Sequence, residues 1–220
     1  MKNLMNVTLV AVDCTDRING TIKALLHSSE ELEFGDIKIL SHEKPENLPH
    51  KIKFEQIDKI TNINEYNEFM FLELGSYIDT SHCLTIQDHG YIISPSLWNN
   101  DWLQYDYIGA IWPIVKGAYL TDSGERVRNG NGGMSLRSKM LMDLPKKMGW
   151  ELQERQGFFN EDGNCAIYRR DKMIDLGVKY APAEVAARFA YENPVPENNM
   201  GNMATFGFHR NHSQWMKNHE

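Results

Sequence analysis

The run Val7-Thr8-Leu9-Val10-Ala11-Val12 constrains this chain more than any other feature. It is almost wholly apolar and mostly β-branched. Such a run predicts a strand covered on both faces, as at the centre of a parallel sheet. A membrane span needs roughly 20 apolar residues, and neither this run nor any other stretch approaches that length. Asp13 to Asn19 is polar and ends at Gly20, which predicts a loop. Thr21 to Ser29 places Ile22, Leu25 and Leu26 at helical spacing, and Asp36 to Leu40 reads as a second strand. Strand, loop, helix and strand in this order open a doubly wound α/β sheet.

The remaining pattern continues the alternation. Glu43 to Lys53, with Pro45 and Pro49, predicts an exposed loop, and Ile63 to Leu74 a helix with Tyr66, Phe69, Met70 and Leu74 on one face. Cys83 to Ile86 is a third strand, and Tyr91 to Ser94 a short one stopped by Pro95. Lys116 to Arg128 is polar and glycine-containing, which predicts mobility. Ser138 to Met148 and Asn164 to Leu176 read as helices, Val178 to Ala181 as a strand, and Pro182 opens a helix through Ala190. Pro194 to Asn202 is loop. With no repeat and no linker, one domain is expected over residues 1–220, its core from about residue 7 to 209 and a polar tail beyond.

A chain of 220 residues, 41% of them hydrophobic, builds such a core without staples. Its net charge of −7 argues against general attraction to nucleic acid or anionic membrane. Cys14, Cys83 and Cys165 lie far apart with no Cys-x-x-Cys pair, which disfavours a zinc ribbon or dithiol site. An odd count with no secretory leader points to reduced thiols and a cytoplasmic setting.

Five segments can carry chemistry. Gln87-Asp88-His89-Gly90 follows the third strand, where ligands bind in open α/β sheets. It reads either as a cation site built on Asp88 and His89 or as a polar turn. Gly130-Asn131-Gly132-Gly133-Met134 is neither a P-loop nor a dinucleotide fingerprint. It reads as backbone laid against a ligand or as a flexible turn. Glu161-Asp162 precedes a helix and serves either as a cap or as a general base. His209 ends the apolar stretch Thr205-Phe206-Gly207-Phe208; His212 and His219 belong to the solvated tail. Trp98, Trp102 and Trp112 stack on a sugar or fill core, core being expected for at least two.

In order, the Val7–Val12 strand, KALLHSSEELEFGDIKILS, TIQDHGYI, YDYIGAIWP, GNGGMSLRS, NEDGNCA, YAPAEVAARFAYEN and TFGFH resemble a family of glycosyltransferase-like domains of bacteria and large viruses, long labelled only as a domain of unknown function. The resemblance runs from Val7 to His209. It implies the A-type fold of nucleotide-diphosphosugar transferases, a Rossmann-like mixed, mostly parallel sheet flanked by helices. It further implies a hexosyl- or pentosyltransferase with a nucleotide-sugar donor. The nucleotide then lies on Val12, Asp13, Cys14, Thr15, Arg17, Gln87 and Asp88, and the donor sugar on Gly132, Gly133 and Met134. Asp162, with Glu161 beside it, is the implied base, and Asp88, His89 and His209 the implied ligands of Mn²⁺ or Mg²⁺. One departure stands out. The family reads Gln-x-Asp-Gly at the metal position, whereas here His89 occupies the place of Asp and Asp88 is displaced by one. Neighbouring strand residues face opposite ways, so the metal is held through His89, through a twisted Asp88, or weakly. An imidazole ligand favours Mn²⁺ or a later transition metal over Mg²⁺.

The expected reaction is transfer to an acceptor hydroxyl with inversion, the charge on the departing diphosphate being met by the metal group or by Arg128 or Arg137. The acceptor is left open among glycan, lipid and protein. Two alternatives remain: a degenerate module that binds sugar nucleotides without turnover, and a viral enzyme acting on modified DNA bases. The second would need a basic groove, for which Arg126, Arg128, Arg169, Arg170 and Lys172 are the candidates.

Overall fold

The structure, a computed structural model, describes residues 2–155 and 159–210. His212 and His219 lie outside the described residues. The chain opens with β1 (Lys2–Val12), α1 (Ile18–Ser28), β2 (Leu32–Ser41) and β3 (Lys53–Gln56). A helix follows, α2 (Ile63–Glu68), which continues through a π turn at Phe69–Glu73 and a 3₁₀ turn to Tyr77. Then come β4 (His82–Thr85), β5 (Tyr107–Gly109), β6 (Ser135–Ser138) and α3 (Lys139–Lys147). The last third holds α4 (Glu161–Gly163), α5 (Arg170–Asp175), α6 (Ala183–Phe189), β7 (Ala190–Tyr191) and β8 (Gly207–Phe208).

Six strands form one sheet in the order β3-β2-β1-β4-β6-β5, and β7 pairs with β8 in a small second sheet. β3, β2, β1 and β4 run parallel, β6 is antiparallel to β4, and β5 is antiparallel to β6. The apolar run thus sits at the sheet centre, as its composition requires. Its side chains alternate. Leu9 and Ala11 join Ile22 and Leu25 of α1 on one face, while Val10 and Val12 join Met70, Leu74 and Met142 on the other. The chain leaves β1 toward β2 and β3, then returns to the opposite side of β1 as β4. That reversal opens a crevice beyond the carboxyl ends of β1 and β4.

Several short elements differ from expectation. Tyr91–Ser94 and Val178–Ala181 form only single bridges, Ile92 to Gly207 and Tyr180 to Tyr107. The helix expected at Asn164 starts at Glu161, passes through a π turn at Asn164–Tyr168 and breaks at Arg169 before α5. The segment 116–128 is a pinned hairpin: Leu120 bridges Arg126, and the Val127 N–H donates to the Tyr119 carbonyl at 2.7 Å. Trp98, Trp102 and Trp112 are all buried. Among the described residues, no helix is long and apolar enough to cross a membrane.

Candidate functional site

Two cavities meet in the crevice. The smaller, about 350 Å³, is framed by the turn after β1 (Val12, Asp13, Cys14, Thr15, Arg17), by residues 60–63 and by Gln87, Asp88 and His89. The larger, about 1060 Å³, runs along Asn131, Gly132, Gly133, Asp162, Tyr168, Glu192 and His209, with the hairpin residues Tyr119 and Thr121 on its wall. Ile63, Tyr66, Gln87 and Arg210 line both, so the two are chambers of one groove.

The turn after β1 is tied by Asp13. One carboxylate oxygen accepts the Thr15 backbone N–H at 2.8 Å and its hydroxyl at 2.7 Å, and the other accepts the Thr21 hydroxyl at 2.6 Å. Asp13 therefore shapes the small chamber, its carboxylate taken up by the loop. Arg17, its side chain 61% exposed, lies 3.4 Å from an Asp88 oxygen.

His209 is buried and stands at the centre of a polar cluster. Its Nδ1 lies 2.9 Å from the Asn131 side-chain amide and 3.1 Å from the Glu192 carboxylate, and its Nε2 lies 3.3 Å from the Gln87 side-chain oxygen Oε1. Burial holds this imidazole below its usual range, against the pull of Glu192. Two glycines make room for it. A Cβ on Gly133 would overlap the imidazole, and one on Gly90 would stand 2.8 Å from its Cδ2. Asn131 itself adopts φ +69° while its Oδ1 accepts the Gly133 N–H at 2.9 Å.

The two acidic residues before α5 have different surroundings. Glu161 is buried and accepts Arg137 Nη2 at 3.0 and 3.2 Å; Arg137, from the centre of β6, is itself 1% exposed. A buried charge needs such a partner, and the pair fastens α4 to the sheet. A Cβ on Gly132 would overlap this carboxylate. The Arg137 pair thus takes up the Glu161 carboxylate, at a position that also lines the large chamber. Asp162 turns to the large chamber half-buried, accepting only its neighbour's Gly163 N–H at 2.7 Å among the described bonds. Burial first, and the Glu161 charge second, push its carboxyl up to about 7.

The expected metal ligands are neighbours without being a ligand set. His89 Nδ1 lies 2.5 Å from one Asp88 oxygen, and Arg17 faces the other. The His89 and His209 rings are 5.2 Å apart, but both nitrogens of His209 already face protein groups. No three His, Cys, Asp or Glu residues converge on a metal position among the described residues. As arranged, Asp88, His89 and His209 do not fit the divalent ion that the resemblance implies.

Of the other expected residues, Val12, Asp13, Thr15, Arg17, Gln87 and Asp88 line the small chamber, and Gly132 and Gly133 the large one. Met134 lines neither. It is fully buried, packed under Gly207, and belongs to the core. The alternative phosphate holders are occupied: Arg128 makes a two-pronged pair with Glu197 at 2.7 and 2.9 Å, and Arg137 is held by Glu161. Of the basic residues expected to form a groove, Lys172 is exposed and the arginines contact protein groups. Arg126 donates to the Val115 and Ala118 carbonyls, Arg169 to the Glu151 carbonyl, and Arg170 lies over the Tyr180 ring at 3.9 Å. Asn131, Glu192, Tyr66, Tyr119, Tyr168 and Arg210 also line the groove, and the sequence reading assigned none of them a role. Asn131, set between glycines, carried the one local signal.

This strand order, with its crevice at the reversal point, defines the A-type glycosyltransferase fold, and solved structures of that class superpose on it. An active-site mutant of LgtC matches with a TM-score of 0.56 at 14% identity, over 96% of this chain and 95% of that one. The galactosyltransferase LgtC in complex with donor and acceptor sugar analogues matches with a TM-score of 0.55 at 15% identity, over 96% and 94%. A glycosyltransferase involved in glycosylation of the major capsid of PBCV-1 matches with a TM-score of 0.53 at 10% identity, over 96% of each. The chain belongs to the family described as "Protein of unknown function (DUF5672)", whose profile matches residues 50–209. No curated protein sequence matches it significantly.

Proposed function

We propose that this chain transfers a sugar from a nucleoside-diphosphate sugar to an acceptor hydroxyl, with Asp162 as the general base. The observation that carries the reading is the continuity of the groove. A nucleoside-sized chamber at the carboxyl ends of β1 and β4 opens into a larger one, and a half-buried carboxyl with its pKa near 7 lines the larger. A base is most effective when its pKa lies near the working pH, and such a group contributes about 10²- to 10⁴-fold. The acceptor oxygen forms its bond to the anomeric carbon as the bond to the diphosphate oxygen breaks. The leaving oxygen keeps the electron pair, and the acceptor proton passes to Asp162. A single base opposite the leaving group gives inversion.

Asn131, Glu192 and His209 support the floor on which the donor sugar would lie, and Gly132 and Gly133 bring backbone to its surface. The test is Asp162→Asn, assayed for nucleoside-diphosphate release from a panel of nucleotide sugars. Binding of the nucleotide sugar should persist while turnover falls about 10²- to 10⁴-fold. Unchanged turnover in that variant removes Asp162 from the chemistry.

A further inference from the structure

A nucleoside-diphosphate sugar that occupies both chambers must lay its diphosphate across their junction. Four residues line both chambers, and Arg210 alone among them is charged. Its backbone N–H donates to the His89 carbonyl at 2.8 Å and its φ is +55°, so the chain presents the residue from a fixed, left-handed position. Its side chain is exposed and forms no ion pair with a described residue. The neighbouring cations are differently placed. Arg128 is bound by Glu197, Arg137 by Glu161 and Arg155 by Asp122, whereas Arg17, exposed on the wall of the small chamber, makes only a loose contact of 3.4 Å with Asp88. Of the groups expected to hold a divalent ion, Asp88 and His89 face one another, Asp88 also faces Arg17, and His209 is engaged by Asn131, Glu192 and Gln87.

We propose that Arg210, assisted by Arg17, is the diphosphate-binding cation of this chain and holds the nucleoside diphosphate without requiring a divalent metal. The inference rests on the donor-site reading above. A guanidinium offers paired N–H donors that match phosphate oxygens. When the anomeric carbon–oxygen bond breaks, the new negative charge falls on the diphosphate oxygen, and a cation fixed at the junction stabilises it there.

The experiment measures binding of UDP, GDP, ADP and CDP, and of the matching nucleosides, to the full chain by calorimetry in EDTA and in Mn²⁺. At least one diphosphate should bind in EDTA, with its Kd changed less than about threefold by Mn²⁺. Arg210→Gln should weaken that diphosphate by about 10- to 100-fold, as the loss of charge-assisted hydrogen bonds does, and leave the nucleoside unchanged. An unaltered melting curve confirms that the variant folds. Binding that appears only with Mn²⁺, or that is the same in Arg210→Gln, overturns the proposal and leaves the donor site standing. If no nucleoside diphosphate binds under either condition, the donor-site reading falls and this inference with it.

Discussion

The role proposed for Asp162 sets function against stability. Its folded pKa of about 7 lies above the value of roughly 4 that a carboxyl has in an unfolded chain. The folded state therefore holds this proton more tightly than the unfolded state does. Stability from this group is fully present below pH 4, declines as pH rises, and is lost above pH 7, where the ionised carboxylate is strained by burial and by Glu161. The variant Asp162→Asn carries no such charge. Its melting temperature should exceed that of the parent by several degrees at pH 8, and the gap should close toward pH 4. In a domain of this size about 1 kcal/mol corresponds to roughly 2–4 °C. Thermal melts across pH measure this directly, and a gap that does not vary with pH means the group does not titrate in that range. With Asp162 as the proposed base, the same ionisation should give kcat/KM an acid limb with an apparent pKa near 7, because only the carboxylate accepts the proton.

The segment 130–133 and α4 form one device. Gly132 and Gly133 have no Cβ because the Glu161 carboxylate and the His209 ring occupy the space a Cβ would take. The sequence offered two readings of these glycines, ligand contact or loose turn. The structure supplies a third, close packing of distant side chains against the backbone. That reason has no local signature, since Arg137 and Glu161 lie 24 residues apart and His209 lies 78 from Asn131. The energetic consequence is specific. Arg137→Met strands the Glu161 charge in the core and should cost about 3–5 kcal/mol, whereas Arg137→Met with Glu161→Leu removes both charges and should recover most of that. Denaturant midpoints of the two variants measure the difference. If the double variant is no more stable than the single one, the pair is not what fastens α4 to β6. Gly132→Ala should destabilise by about 1–3 kcal/mol for the same spatial reason.

Across the whole molecule, what was legible in sequence is the part whose signal is local. The β1 run, the helical face of α1 and the polar turn after β4 are each written in neighbouring residues. β3, β5 and β6 have at most four residues each, and β6 holds a charged Arg137 that only a distant glutamate makes tolerable. Strands that short are defined by their partners, which is why the antiparallel half of the sheet was invisible. The groove needs both halves: Asp13 and Gln87 come from the parallel side, Asn131 and Asp162 from the chain around β6. A ligand spanning it therefore binds only the assembled sheet and stabilises the fold as a unit. At 100 times its Kd such a ligand adds about 2.7 kcal/mol. For a chain of this length that raises the melting temperature by about 5–10 °C. The responses should be graded by how much of the groove is filled. In the proposed arrangement a nucleoside occupies the small chamber, its diphosphate reaches the junction at Arg210, and the full nucleotide sugar extends toward Asp162. A thermal-shift series over nucleosides, diphosphates and nucleotide sugars should therefore rise in that order for one base. A series in which free sugars stabilise and nucleotides do not would place the ligand in the large chamber alone, and would leave the small one without its assigned role.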